Sequence, residues 1–230
     1  MTVPPPSLSK VRQRISEAVQ KSRREENDVT LIGVTKSHPL ETIIPFVEAG
    51  LGDIGENYVQ EAEKKYLGQS LTIRKQMIGP LQSNKCFRAV QLFDVIQTVE
   101  NSRILQKIAE AARRLGIVSH VLIQVNFRGD EQTQHGCTRE QFWELANKCV
   151  RDEISSTVSW EGMMTVAPFS VKGRDALSFY QESYDFFLEA KRKYPNCLNL
   201  SMGMSDTLEE AIEAGATMVR IGTALFGSRS

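Results

Sequence analysis

The chain has 230 residues, of which 41% are apolar and 24% are charged, as in an ordinary soluble globular protein. Its 28 basic residues balance 28 acidic ones, and the resulting net charge of zero argues against a basic nucleic-acid surface or a polybasic membrane anchor. The N-terminal Met-Thr-Val-Pro-Pro-Pro lacks a signal-peptide pattern and no apolar run approaches the roughly 18 residues that span a bilayer, so we predict a cytoplasmic protein.

Short β-branched apolar runs alternate with segments of helical period along the chain. A predicted helix near Ser9–Ser22 precedes the first run. The predicted strands are Val29–Thr35, Asp53–Glu56, Lys75–Gly79, Asp94–Val99, Val121–Asn126, Val158–Val166, Leu198–Met202 and Met218–Ile221. The predicted helices between them are Pro39–Ala49, Tyr58–Tyr66, Asn84–Gln91, Asn101–Leu115, Thr138–Val150, Arg174–Lys193 and Thr207–Ala214.

Strict alternation of strands and helices predicts parallel strands, and eight such units in this length indicate an α/β fold, a closed (β/α)8 TIM barrel. We expect a single domain over residues 1–230, with the extra N-terminal helix. The alternative is an open doubly wound sheet. No G-x-G-x-x-G follows the first strand, which weakens a dinucleotide-binding form of that alternative.

The helix predicted over Asn101–Leu115 shows the pattern most clearly. Ile104 and Ile108 belong to one apolar face, Asn101 is a candidate N-cap, and Gly116 is a candidate C-terminal stop.

Barrel enzymes place their sites at the carboxyl ends of the strands, and Lys36 ends the first predicted strand. Partial desolvation at a barrel mouth lowers the pKa of a lysine and frees the neutral amine that attacks a carbonyl group. The alternative is a solvent-facing lysine that only caps the strand.

The last two strand ends predict a phosphate-binding site, because barrels often bind phosphate with the loops after strands seven and eight. Ser201–Ser205 and Arg220–Thr223 supply hydroxyl groups, glycines and backbone N–H groups, and Asp206-Thr207 opens a helix whose N-terminus favours an anion. Tight turns are the alternative reading. A lysine opposite a phosphate site is what an aldehyde-phosphate cofactor requires.

Arg220 can only donate hydrogen bonds, so facing a pyridine nitrogen it would favour the unprotonated ring. The alternative is an ion pair inside the barrel. Cys86, Cys137, Cys149 and Cys197 match no zinc spacing and are predicted to be free thiols. His38, His120 and His135 show no metal spacing either, so we predict no metal site and expect these histidines to be structural or solvent-facing.

Six segments in order along the chain resemble the pyridoxal phosphate homeostasis protein family. They are Leu31–Lys36, Gly55–Ala62, Ile78–Lys85, Gly162–Thr165, Leu200–Ser205 and Val219–Gly227.

The resemblance implies a fold like the N-terminal barrel of alanine racemase and pyridoxal 5′-phosphate (PLP) as the cofactor. It implies that Lys36 holds PLP as a Schiff base, with Arg220 near the pyridine nitrogen. The phosphate residues that it implies are Ser205, Gly222 and Thr223, and the further lining residues are Asn57 and Ser201. It also implies a carrier or regulator in vitamin B6 homeostasis without an established reaction, with apo PLP-dependent enzymes as possible recipients.

Four positions depart from the family pattern, and they are Pro80, His135, Met163 and Asp206. Pro80 stands where the family usually has a histidine, so any role of that imidazole is lost. Asp206 comes one position earlier than the usual aspartate, which affects a helix cap rather than the phosphate site.

Two other functions remain open from the residues. The first is a PLP-dependent racemase, for which Tyr58 is the nearest candidate for a second acid or base. Only Leu225–Ser230 follow the last strand motif, so we expect no second domain and a monomer rather than a racemase-like dimer. The second is a cofactor-free Schiff-base aldolase, which would not need both a phosphate site and an arginine facing a ring.

Overall fold

The computed structural model describes residues 4–69, 71–129, 135–151 and 154–227. Its strands are β1 (Thr30–Val34), β2 (Asp53–Glu56), β3 (Arg74–Met77), β4 (Val95–Val99), β5 (Ser119–Gln124), β6 (Val158–Met164), β7 (Asn199–Ser201) and β8 (Met218–Ile221). Neighbouring strands pair in parallel, and β1 pairs with β8 to close the barrel. The predicted (β/α)8 barrel is confirmed, and the open-sheet alternative is wrong because β1 and β8 pair with each other.

The helices surround this barrel, and an N-terminal helix precedes β1 as predicted. They are α1 (Pro6–Lys21), α2 (Leu40–Glu48), α3 (Val59–Tyr66), α4 (Cys86–Leu92), α5 (Ser102–Leu115), α6 (Arg139–Val150), α7 (Arg174–Lys193), α8 (Leu208–Ala214) and α9 (Thr223–Phe226). Short 3-10 helices lie at Glu26–Asp28 and Ser83–Lys85.

Several element boundaries differ from the predicted ones. The first helix begins at Pro6 rather than Ser9, because a proline at the first helical position has a suitable φ and no N–H to leave unpaired. Strand β5 begins at Ser119 rather than Val121. Helix α9 was not predicted, since four residues are too few to show a helical period. Residues 130–134 of the loop after β5 lie outside the described ranges. So do residues 228–230, which form the second half of the predicted C-terminal segment Leu225–Ser230.

The caps of α5 are confirmed. The Asn101 side chain accepts a hydrogen bond of 3.0 Å from the Ile104 N–H, which satisfies one of the unpaired donors of the first turn. Gly116 has φ 66°, the left-handed conformation that ends many helices and that glycine adopts without strain. Ile104 and Ile108 are buried and belong to the larger hydrophobic core, as expected for the apolar face of α5.

The inside of the barrel is part apolar and part polar. The apolar layer consists of Ile32, Val95, Leu122, Met164 and Met218. The polar residues are Gln76, Gln97, Ser201 and Arg220, all at most 5% exposed. Gln97 of β4 contacts Ser201 of β7. Because β4 and β7 are not neighbours, their contact crosses the barrel interior.

The four cysteines are buried free thiols, as predicted. Burial raises the pKa of the Cys86 thiol to about 11 and that of Cys149 to about 12, so both are uncharged at neutral pH. Within the described ranges, the helices include none with the length and apolar character needed to cross a membrane.

Candidate functional site

A cavity of about 230 Å³ opens at the carboxyl ends of the strands. The turn after β1 and the loops after β6, β7 and β8 contribute most of its wall, at the end of the barrel where such sites form. The lining residues are Val34, Lys36, His38, Ala167, Pro168, Phe169, Val171, Lys172, Met204, Ser205, Asp206, Thr207, Arg220, Gly222, Thr223 and Gly227.

Five of the seven predicted site residues meet at this cavity: Lys36, Ser205, Arg220, Gly222 and Thr223. They come from the ends of three strands that are far apart in the sequence. Only closure of the barrel brings them together, since it makes β1 a neighbour of β8.

Two predicted residues do not belong to the cavity wall. Ser201 is fully buried beneath Arg220 rather than at the surface of the cavity. Asn57 follows β2, and its backbone lies directly against Gly79, where an added Cβ would be 2.2 Å from the Asn57 carbonyl oxygen. This close backbone approach accounts for a glycine at position 79.

The direction of Lys36 follows from the alternation of side chains along β1. Val34 and Lys36 line the cavity, whereas Thr35 between them is fully buried against α3 on the outside of the barrel. Lys36, two residues beyond the end of β1, therefore continues the inward-facing row of Val34.

Arg220 is held from below by two oxygens. Its Nη1 donates to Ser201 Oγ at 2.7 Å and its Nη2 donates to the Thr165 carbonyl oxygen at 2.8 Å. Burial lowers its pKa to about 10, so the guanidinium stays protonated at neutral pH. No carboxylate of the described residues contacts it in an ion pair, which removes the expected alternative of a barrel ion pair.

A one-way chain of hydrogen bonds continues from Arg220 through the barrel. Ser201 Oγ donates to Gln97 Oε1 at 2.7 Å, Gln97 Nε2 donates to Gln76 Oε1 at 2.5 Å, and Gln76 Nε2 donates to Asp53 Oδ1 at 2.6 Å. The chain therefore begins at a cation and ends at an acid. Burial raises the pKa of Asp53, and the Gln76 hydrogen bond opposes this effect.

The loops after β7 and β8 are fixed against each other. Ser205 Oγ accepts a hydrogen bond of 3.3 Å from the Ala224 N–H at the first turn of α9. Arg14 of α1 donates to the Ser205 carbonyl oxygen at 3.1 Å. Gly203 has φ 94°, and a Cβ there would be 2.5 Å from that of Ala211, so glycine is required at this bend.

Gly222 and Thr223 both line the cavity at the start of α9. At Gly222 an added Cβ would meet only Val34, at 3.4 Å and beyond, and φ is −110°, so neither strain nor a clash requires glycine. Its small size instead leaves the cavity open beside the first turn of α9, where the Gly222 carbonyl oxygen accepts from the Leu225 and Phe226 N–H groups.

The charged residues of the wall favour an anion. Lys36, Lys172 and Arg220 are cationic, and Asp206 is acidic. Asp206 and Lys172 form a largely exposed ion pair at 3.7 Å. The N-cap of α8 is Thr207 rather than Asp206, and its Oγ1 hydrogen-bonds with Tyr180 OH at 2.8 Å. The excess of positive charge on this wall suits an anionic group of a small ligand.

The loop after β6 also reaches the cavity, which was not predicted. Ala167, Phe169 and Lys172 line the cavity, and Phe169 is 88% exposed. The one available signal was positional, because every loop after a strand is a candidate for the mouth of a barrel. His38 was expected to be structural or solvent-facing, but it lines the cavity and its ring centroid lies 5.3 Å from that of Phe226.

Two further residues considered from the sequence lie away from the cavity wall. Tyr58 is 61% exposed and is not a lining residue, so the structure does not place this candidate acid or base at the cavity. Pro80 is exposed and also lies outside the lining. The described part of the chain contains no group of three or more His, Cys, Asp or Glu side chains that could hold a metal ion.

The family model for the alanine racemase N-terminal domain matches residues 7–230. The pyridoxal phosphate homeostasis protein of Aquifex aeolicus is 38% identical over 224 residues, which cover 96% of this chain and 96% of that protein. This chain belongs to the pyridoxal phosphate homeostasis protein family. That family membership confirms the resemblance found in the six motifs.

Solved structures agree with this family. PipY of Synechococcus elongatus with PLP bound superposes with a TM-score of 0.80 and 30% identity, covering 93% of this chain and 100% of that one. An alanine racemase of Clostridium difficile has a TM-score of 0.72 at 16% identity, covering 94% of this chain and 56% of that one. This second likeness shows the alanine-racemase-like barrel fold alone.

Proposed function

We propose that the chain binds PLP in the mouth cavity, with Lys36 as the residue that forms the Schiff base, and acts in intracellular vitamin B6 homeostasis. The observation that carries this proposal is that one cavity wall contains the Lys36 amine, the buried Arg220 guanidinium and the loops after β7 and β8. The name of the family and the PLP-bound PipY structure support the choice of ligand.

Each part of the wall matches one part of the cofactor. The Lys36 amine condenses with the aldehyde, which forms a C=N bond and releases one water molecule. Arg220 donates toward the ring nitrogen, and Ser205, Gly222 and Thr223 receive the phosphate beside the first turn of α9. PLP supplies an electrophilic aldehyde and an electron-withdrawing ring when bound.

The arrangement favours a carrier over an enzyme. An arginine at the ring nitrogen keeps the ring unprotonated and makes it a weaker electron sink than an aspartate would. Tyr58, the acid or base considered for racemisation, is outside the cavity wall. We further propose that the whole chain is one PLP-binding domain, a cytoplasmic monomer that can pass PLP to apo PLP-dependent enzymes.

A titration of the purified protein with PLP tests this function. We expect the visible absorbance of a Schiff base, and borohydride reduction should attach the cofactor irreversibly to Lys36, as seen by peptide mass analysis. Lys36→Ala should abolish both signals. Lys172→Ala is the matched control, because it removes the other lysine of the cavity wall and should keep them.

The carrier role is tested separately by turnover and transfer. We expect racemisation or decarboxylation of amino acids well below ordinary enzyme rates of about 1 per second, and transfer of PLP to an apo-enzyme. Turnover at ordinary rates would support the racemase-like alternative. A wild-type protein that forms no Schiff base with PLP would contradict the whole proposal.

A further inference from the structure

A buried polar cluster lies on the outside of the barrel, directly behind the turn that carries Lys36. We call Thr35, Glu56, Lys65 and Tyr66 the β1–α3 cluster. Glu56 is fully buried, and its Oε1 accepts from Thr35 Oγ1 at 2.8 Å, from Lys65 Nζ at 2.7 Å and from Tyr66 OH at 2.8 Å. The Lys65 side chain is only 7% exposed.

This cluster extends to the backbone on both sides of Lys36. Lys65 Nζ donates to the Thr35 carbonyl oxygen at 2.8 Å. Glu61 Oε1 accepts from the Ser37 N–H at 2.5 Å and from Lys65 Nζ at 3.2 Å. The Thr35 carbonyl belongs to the peptide unit before Lys36, and the Ser37 N–H belongs to the unit after it. Side chains of α3 therefore hold both peptide units that set the backbone direction of Lys36.

The turn itself needs such support. Ser37 has φ 64°, a left-handed conformation that is unfavourable for a residue with a Cβ atom and persists where surrounding contacts enforce it. The Glu61 carboxylate bonds the N–H of this same residue. The strained residue is therefore held directly beside the lysine of the proposed Schiff base.

Stability alone does not explain a buried ion pair at this position. Removing two charges from water costs free energy that their attraction often fails to recover, and an apolar pair is frequently as stable. Glu56 Oε2 is also buried without a hydrogen-bond partner in the described structure. Besides the bond from Tyr66 to Glu56, both members of the pair contact Thr35: Glu56 accepts from its hydroxyl group, and Lys65 donates to its carbonyl oxygen, so the pair supports the turn.

We propose that Lys65 and Glu61 are positioning residues that hold the Lys36 turn so that its amine faces the cavity, and thereby set the rate and stability of Schiff-base formation. This inference rests on the proposed function of Lys36. Neither residue lines the cavity, so both act through the backbone of the turn and not by contact with the ligand.

Two ligands separate positioning from simple loss of the site. PLP must condense with Lys36, whereas pyridoxamine 5′-phosphate carries an amine in place of the aldehyde and can bind only through its ring and phosphate. Glu61→Ala removes the acceptor of the Ser37 N–H. We expect it to slow Schiff-base formation and weaken PLP binding by about tenfold or more. The affinity for pyridoxamine 5′-phosphate should stay within about twofold of wild type.

Three variants complete the test. Glu61→Gln keeps a carbonyl acceptor for the Ser37 N–H and should restore most of the PLP affinity. Glu63→Ala is the control on the same helix, because Glu63 pairs with Arg88 and does not contact the turn. Lys65→Met should impair condensation more than Glu61→Ala does, and if this protein fails to fold, the Glu61 variants decide the question.

The outcomes are distinct. Wild-type condensation in Glu61→Ala would overturn the positioning role, and so would an equal loss of both ligands in this variant. A Schiff base that persists in Lys36→Ala would instead contradict the proposed function.

Discussion

Arg220 of β8 and Ser201 of β7 are joined by a hydrogen bond of 2.7 Å inside the barrel. Ser201 is fully buried, so no solvent can replace it as the acceptor for Arg220 Nη1. Because Ser201 Oγ uses its own hydrogen atom on Gln97, the serine is fixed as an acceptor toward the arginine. The two residues therefore behave as one unit, of which only Arg220 reaches the cavity.

Ser201→Ala tests this unit. The substitution leaves a buried guanidinium N–H and the Gln97 oxygen without their partner, so the free energy of unfolding should fall by about 1–3 kcal/mol. Urea denaturation measures the change. Ser183→Ala is the matched control, since Ser183 is equally buried but bonds only a carbonyl of its own helix, and it should cost less. Equal losses in the two variants would contradict this role of Ser201.

Gly222→Ala should weaken ligand binding without unfolding the barrel. A methyl group at this position meets only Val34 in the protein but narrows the approach to the first turn of α9. We expect PLP affinity to fall by roughly tenfold, through loss of phosphate hydrogen bonds, and the unfolding free energy to change by less than about 1 kcal/mol.

Absorbance titration and urea denaturation measure these two effects. Gly52→Ala is the control, because an added Cβ there has no neighbour within 4 Å and the position lies outside the mouth cavity. Unchanged PLP affinity in Gly222→Ala would exclude this glycine from the phosphate site.

The buried thiols should make the protein sensitive to alkaline pH. Burial raises the pKa of Cys149 from 9.0 to about 12, so above pH 9 the unfolded chain loses a proton that the folded chain keeps. The unfolding free energy should therefore fall as pH rises from about 9 toward 12, by up to about 1.4 kcal/mol per pH unit for each such thiol.

Urea denaturation at several alkaline pH values measures this slope. Cys149→Ala should reduce it, and Cys86 should contribute over a narrower range because its pKa is raised only to about 11. A slope that is the same with and without Cys149 would contradict the assignment.

The Asn101 cap gives a prediction that is independent of the ligand. Asn101→Ala removes the acceptor for the Ile104 N–H and should lower the unfolding free energy by about 1 kcal/mol. Asn101→Ser keeps a side-chain oxygen and should lose much less. Thermal denaturation of both variants checks this difference, and PLP binding should be unchanged in each.

Most of the barrel could be predicted from the sequence because its signals are local. Period-2 and period-3.6 patterns mark the strands and helices, and residues such as Asn101 and Gly116 mark their ends. What failed were features too short to carry a period, such as the four residues of α9. The start of α1 was also predicted too late. A proline usually indicates the end of a helix, but at the first helical position, where Pro6 lies, it is favourable.

The site was partly predictable for a different reason. Lys36 follows the carboxyl end of β1 and Arg220 lies near that of β8, so their position at the barrel mouth follows from the fold itself. The position of Asn57 depends on how closely the Gly79 backbone approaches it, and no sequence pattern gives that distance. The loop around Phe169 lines the cavity because of the way it folds over the barrel mouth. That conformation depends on tertiary contacts, which local sequence patterns do not give.

The junction of β7 and β8 is paired at a single register position, Ser201 with Met218. Additional backbone hydrogen bonds join Thr217 to Leu200 and Arg220 to Gly203 at its sides. The Arg220 side chain crosses this junction to bond Ser201 of β7. It also bonds the carbonyl oxygen of Thr165, the residue that follows β6. Arg220 thus belongs to the cavity wall and also connects the two strands that share a single register position.

A substitution of Arg220 would therefore change two properties at once, because it would weaken both ligand binding and the contact between β7 and β8. The same coupling can be used to detect a bound ligand. A ligand that restrains Arg220 should also restrain the contact between β7 and β8. Slower amide hydrogen exchange in these two strands would therefore report that the cavity is occupied, even by a compound without visible absorbance.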